Sequence, residues 1–95
     1  MKIKLAHGFA NVEKNMFGSY LHIIMVEPEY RGKGIATRLM NKVIEQSAKP
    51  IYLLASSEYG SDFQRLTEFY SRFGFVKVKQ KKRDGHPYNF NMVLY

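Results

Sequence analysis

Val26-Glu27-Pro28-Glu29-Tyr30-Arg31-Gly32-Lys33-Gly34-Ile35-Ala36 is the stretch in which this chain turns from strand to helix. Upstream, Leu21-His22-Ile23-Ile24-Met25-Val26 is apolar and β-branched enough for a buried strand. Pro28 has no N–H to donate and stops the ladder. Arg31 to Gly34 form a tight turn, after which Ile35, Leu39 and Val43, with Met40 and Ile44, recur at helical spacing. The pattern predicts a helix from about Gly34 to Ser47. Its first turn presents unpaired N–H groups at the positive end of the helix dipole, a natural seat for an anion. Gly32 and Gly34 allow close approach, and Arg31 and Lys33 add positive charge. The expectation is a pyrophosphate cradle.

Other phosphate motifs are eliminated by spacing. A P-loop needs Lys-Ser/Thr after its last glycine, but Gly34 is followed by Ile35. The dinucleotide fingerprint needs a third glycine where Thr37 stands, and an acidic ribose partner is also missing. What remains resembles the GNAT superfamily of N-acetyltransferases, whose signature R/Q-x-x-G-x-G/A follows a strand ending in V-x-P. Arg31, Gly34 and Ala36 match the signature, and Val26 and Pro28 match the strand exit. Phe69-Tyr70-Ser71-Arg72-Phe73-Gly74-Phe75 is similar to a second family motif, F-Y-x-x-x-G-F. Its local reading is a helix opened by the capping box Ser61-x-x-Gln64. Phe63, Leu66, Phe69, Tyr70 and Phe73 form its apolar face, and Gly74 its left-handed end. By spacing alone Tyr70 is a core aromatic. The resemblance implies instead that its hydroxyl protonates the departing thiolate of coenzyme A.

The remaining chain reads as a strand over Lys2–Val12, turn residues around Glu13-Lys14-Asn15 and Gly18, and a second strand over Ser19–Val26. Lys49-Pro50 closes the first helix, and the apolar run Ile51–Ala55 reads as a strand covered on both faces. A loop from Ser56 to Gly60 leads to the second helix. Phe75–Lys81 alternates Val76 and Val78 against Lys77 and Lys79. Asp84-Gly85 turns the chain into a last strand, Tyr88–Tyr95. The strand–helix–strand unit makes its two strands parallel and right-handed. The order ββαβαββ defines an α/β fold with a mixed sheet, close to the GNAT pattern over residues 18–80. The strand and two helices that family members carry ahead of the hairpin are not found. Those helices normally wall the acceptor site, so that side is expected to be open or completed by another chain.

Composition sets the bounds. Ninety-five residues suit one domain spanning 1–95. The chain is 45% hydrophobic and 15% aromatic, too apolar for disorder, and no apolar run is long enough to span a membrane. Met1–His7 lacks the apolar core of a secretory signal. Cysteine is absent, which removes disulfides, thiolate metal sites and a cysteine nucleophile. A cytoplasmic protein is expected. His7, His22 and His86 have no metal-ligand spacing, and no metal is expected. The net charge of +7 favours anionic company. The run Lys77, Lys79, Lys81, Lys82, Arg83 is compatible with nucleic acid, but a solvated basic strand is the favoured reading.

The resemblance implies transfer of an acetyl group from acetyl-CoA to a primary amine by direct attack. The pantetheine arm would pair with backbone groups of Ile24, Met25 and Val26. The pyrophosphate would rest on the amides of Gly32, Lys33, Gly34, Ile35, Ala36 and Thr37, beside Arg31. A backbone N–H near Met25 or Val26 would stabilise the oxyanion, and Tyr70 would supply the proton to sulfur. The glutamate base that many family members place on the signature strand or the next one is missing. His22 is the candidate in its place, or water relays the proton, with Glu58 as a loop alternative. Two further readings stay open: a reduced GNAT-like module binding a macromolecular partner, with coenzyme A structural or absent, and a small nucleic-acid binder. Exposed apolar surface at Phe9, Phe17 and Tyr20 and a sticky last strand lead to the expectation of a homodimer. The amine acceptor is expected to be macromolecular, an acidic protein segment or an RNA-borne amine.

Overall fold

The computed structural model describes residues 1–56, 62–81 and 88–95. Six strands and two helices follow one another as β1 (Lys2–Leu5), β2 (Gly8–Asn15), β3 (Gly18–Val26), α1 (Ile35–Gln46), β4 (Ile51–Leu53), α2 (Phe63–Ser71), β5 (Val76–Lys81) and β6 (Phe90–Leu94). A short 3-10 turn, Pro28–Tyr30, precedes α1. The strands form one mixed sheet in the order β1-β2-β3-β4-β6-β5. β1, β2 and β3 form an antiparallel meander; α1 then carries the chain across to β4, parallel to β3. β6 enters between β4 and β5 and is antiparallel to both.

The single strand expected over Lys2–Val12 is two strands. The chain turns at Ala6 and His7, with His7 at φ 67°. No Asn-Gly or Asp-Gly marks this turn, so local sequence did not announce it. Contacts from far along the chain hold it. The Glu27 N–H donates to His7 O at 2.9 Å, the Glu27 carboxylate meets His7 Nδ1 at 3.0 Å, and Tyr30 stacks on the imidazole at 3.5 Å. The order is therefore βββαβαββ, with a strand ahead of the hairpin that sequence reading had missed.

Both helices pack on one face. Ile35, Leu39, Met40 and Val43 of α1 join Ile3, Ala10, Val12, Leu21, Val26, Ile51, Leu53, Phe75 and Met92 in the main core, and Tyr70 enters it from α2. Two parallel crossovers running the same way along a sheet place their helices on the same side. On the opposite face Tyr20, Tyr52, Phe90 and Val93 form a second cluster, flanked by Phe17, Val78 and Tyr88. No helix among the described residues covers it. β4 is buried along its whole length, as an apolar strand with both faces occupied should be.

Several local expectations shift. α2 is capped by Asp62, whose carboxylate accepts from the N–H groups of Gln64 and Arg65; Ser61 lies outside the described residues, as do Glu58 and the Asp84-Gly85 turn. Phe63 is exposed rather than part of the apolar face, because it sits at the first position of the helix, beyond the sheet's reach. Tyr20 is buried, its hydroxyl donating to Asn89 O at 2.7 Å, so it supplies no exposed apolar surface. Phe9 and Phe17 are half-buried. Val78 joins the outer cluster, but Val76 remains exposed at the mouth of β5.

One irregularity in β3 positions the site. Val12 pairs with Leu21 and Asn11 with Ile23, so His22 is an additional residue, a β-bulge. The bulge resets the alternation, which lets Leu21, Ile24 and Val26 all face the helices.

Candidate functional site

β3 and β4 pair only through Ser19–Leu21 and Ile51–Leu53. Beyond that point the two strands part, and a cleft of about 570 Å³ opens between them. Residues 22–26 of β3 form one wall, and Leu54, Ala55 and Ser56 the other. The parting is held by a side chain. Asn91 accepts from the Ala55 N–H through Oδ1 and donates to Ala55 O through Nδ2, each at 2.8 Å. One amide thus satisfies both backbone groups of a buried residue that has left the ladder.

The strand-to-helix turn closes one end of the cleft. Arg31 Nε donates to Val26 O at 3.3 Å and fastens the loop to the end of β3. Gly34 is the N-cap of α1 at φ 80°. It has no side chain to cap with, so the first-turn N–H groups are left for a ligand. A Cβ added at Gly32 or Gly34 would meet nothing within 4 Å, so the backbone here is open to close approach. Gly34, Ile35, Ala36 and Thr37 all line the cleft.

Tyr70 reaches the cleft from the helix side. Its ring packs edge-on against Phe69 and Phe75, with centroids 5.4 and 5.9 Å away. Burial pushes its phenol up to about 12. Its hydroxyl has no hydrogen-bond partner among the described residues, unlike a core tyrosine satisfied by its neighbours.

His22 reaches the cleft from the opposite face. Its Nε2 lies 3.3 Å from Glu13 Oε1, and Tyr88 donates its hydroxyl to the same oxygen at 2.8 Å. The Tyr88 bond, with His22 nearby, holds the Glu13 carboxyl below its ordinary value, and the carboxylate in turn pushes the Tyr88 phenol up.

The cleft collects most of the residues singled out in the sequence: His22, Ile24, Met25, Val26, Arg31, Gly32, Gly34, Ile35, Ala36, Thr37 and Tyr70. Lys33 does not line it; its side chain is exposed. Sequence reasoning missed the far wall, Leu54 to Ser56, and Tyr30, Leu66 and Phe69. It also missed Asn91 and Glu13. Phe69 and Tyr30 stood inside the quoted motifs and were legible in principle; Asn91 and Glu13 belong to no motif.

A mixed sheet parted beside a glycine-opened helix is thus the frame on which these residues meet. A family model described as "Acetyltransferase (GNAT) domain" matches residues 3–77, and the chain belongs to that family. The uncharacterized N-acetyltransferase MJ1207 of Methanocaldococcus jannaschii is 38% identical over 73 residues, which is 77% of this chain. The match spans only 32% of that protein, about a third of its length. Among solved structures, the anti-CRISPR protein AcrVA5 superposes with a TM-score of 0.73 at 20% identity, covering 98% of this chain and 94% of that one. A GNAT-family acetyltransferase of Staphylococcus aureus gives 0.68 at 25% identity, over 96% and 61% of the two chains. Naa50 of Arabidopsis thaliana, in complex with the bisubstrate analogue CoA-Ac-MVNAL, gives 0.60 at 24% identity, over 90% and 62%. The fold is thus shared with a chain of nearly the same extent as well as with longer ones.

Proposed function

We propose that this chain, acting as one domain over residues 1–95, transfers an acetyl group from acetyl-CoA to a primary amine by direct attack. The observation that carries the reading is convergence on one cleft: uncapped amides at the start of α1, the β3 edge left unpaired by β4, and the hydroxyl of Tyr70. The amides of Gly32 to Thr37 hold the pyrophosphate, while Arg31 secures the loop. Ile24, Met25 and Val26 offer their free backbone groups to the pantetheine amides, in the manner of an added strand. The thioester carbonyl then lies near an N–H of Met25 or Val26, which stabilises the oxyanion as the amine attacks. When the C–S bond breaks, Tyr70 donates its proton to sulfur.

The acceptor enters from the face on which no described helix packs, because the helix side of the cleft is occupied by Tyr70 and its neighbours. An open face of this kind suits a macromolecular amine, an acidic protein segment being favoured by the net charge of +7. We further propose a homodimer that covers part of this face, and a cytoplasmic location; no described helix is long and apolar enough to cross a membrane. The direct test is calorimetry with acetyl-CoA followed by thiol release in the presence of a lysine-bearing acidic peptide. Binding with steady release supports the reading; absence of acetyl-CoA binding overturns it.

A further inference from the structure

We propose that Glu13 is a positioning residue that fixes the His22 ring through Nε2, so that Nδ1 takes the proton of the incoming amine. The inference rests on the acetyl-transfer reading above and supplies the carboxylate that the signature strand lacks. Glu13 lies on β2, opposite Tyr20 in the antiparallel register. In a regular ladder the residue after Leu21 would pair with Asn11. The bulge instead leaves His22 unpaired and swings its ring to Glu13, at 3.3 Å.

The tautomer follows from charge. Glu13 already accepts the Tyr88 hydroxyl at 2.8 Å and is held ionised, so its oxygen can only accept. The facing His22 nitrogen must then donate. A neutral ring that donates through Nε2 keeps its lone pair on Nδ1. Tyr20 and Tyr88 pack on the imidazole with centroids 4.9 and 4.7 Å away and restrict its rotation. Among the described residues, the other charge bearing on this group is the Met1 ammonium, which donates to Val12 O at 2.6 Å and acts on Glu13.

The proton balance closes without another reactant. Nδ1 of His22 removes one proton from the alkylammonium, and the neutral amine forms the C–N bond to the thioester carbonyl. As the C–S bond breaks, sulfur takes the Tyr70 proton, and the resulting phenolate recovers a proton from the amide nitrogen. One proton remains on His22 and returns to solvent. Acid and base then approach the cleft from opposite faces of the sheet, which keeps them from neutralising each other directly.

Nitrogen-15 NMR of the histidine rings tests the geometry independently of turnover. His22 is expected as the Nε2–H tautomer. Glu13→Gln keeps an acceptor but adds an amide donor and loses the charge, and should weaken that tautomer preference. Glu13→Ala should also lose the tautomer preference. An Nδ1–H tautomer in the parent, or a tautomer preference unchanged in Glu13→Ala, overturns the proposal. In turnover of acetyl-CoA with a lysine-bearing acidic peptide, Glu13→Gln should reduce kcat/KM about tenfold across the acidic limb of the pH profile. His22→Gln should remove that limb, and a wild-type profile in His22→Gln also overturns the proposal. Failure of the acetyl-transfer reading is distinguishable, since it is decided by acetyl-CoA calorimetry on the unmodified chain.

Discussion

At the scale of single residues, Tyr70 is the clearest case of one side chain serving two environments. Its ring fills the main core and its hydroxyl opens on the cleft. Tyr70→Phe preserves the ring, so turnover should fall by about 10²-fold or more while acetyl-CoA affinity, read by calorimetry, stays close to the parent's. The phenol is raised by burial to about 12 from an ordinary 10. Its contribution to stability is therefore complete below pH 10 and lost as pH climbs through 12. Denaturant unfolding between pH 8 and 11.5 should show a steeper alkaline decline in the parent than in Tyr70→Phe. Equal slopes would place the phenol in water. Asn91 is the second such residue. Asn91→Ala strands two buried backbone groups of Ala55, and should cost about 2 kcal/mol or more in the same assay. Retention of parental stability and acetyl-CoA affinity would show that the far wall of the cleft does not depend on the side chain.

Elements carry a different kind of argument, because their ends were less legible than their existence. The periodicity of Ile35, Leu39 and Val43 located α1 to within a residue, and the structure sets Gly34 at its start. For α2 two residues suited to capping stand side by side in the sequence, Ser61 and Asp62, and Asp62 is the N-cap, accepting from the Gln64 and Arg65 N–H groups. The Ala6–His7 turn was invisible for a related reason: its supports, Glu27 and Tyr30, are some twenty residues away. The start of α1 also decides how the cradle is best tested. Gly34→Val adds bulk to the cradle and imposes a β-branched residue at φ 80°, so lost binding would be confounded with strain. Asn tolerates that backbone region, and Gly34→Asn fills the open space above the amides with far less strain. Acetyl-CoA affinity should fall at least tenfold in Gly34→Asn with unfolding little changed. An unaltered Kd would remove the pyrophosphate from this turn.

For the molecule as a whole, the decisive asymmetry among the described residues is two helices on one face of the sheet and aromatic side chains on the other. The expected sticky surface is smaller than the sequence indicated: Tyr20 is buried, Phe17 packs beside it, and the last strand is no edge, since β6 is paired on both sides by β4 and β5. What remains is the rim around His22, Ile23 and Met25, together with the exposed side chains of Met16 and Tyr95. Sedimentation at micromolar concentration is expected to give a dimer. A clean monomer with brisk acetylation of a small free amine would remove both the dimer and the macromolecular acceptor.

The sequence by itself determined the strand-to-helix turn, the Tyr70 helix and the family, because each rests on residues within one or two turns of one another. A left-handed backbone at Gly34 favours glycine, and Tyr70 shares a helix face with Leu66 because four residues separate them; such requirements are written locally. Only the tertiary structure decided that β3 and β4 part after Leu21, that Asn91 holds the gap, and that Glu13 meets His22. The last of these depends on a bulge that shifts one strand by one residue against its neighbour. Register is a property of two strands at once, set by how both fit a common core, and no reading of either strand alone contains it.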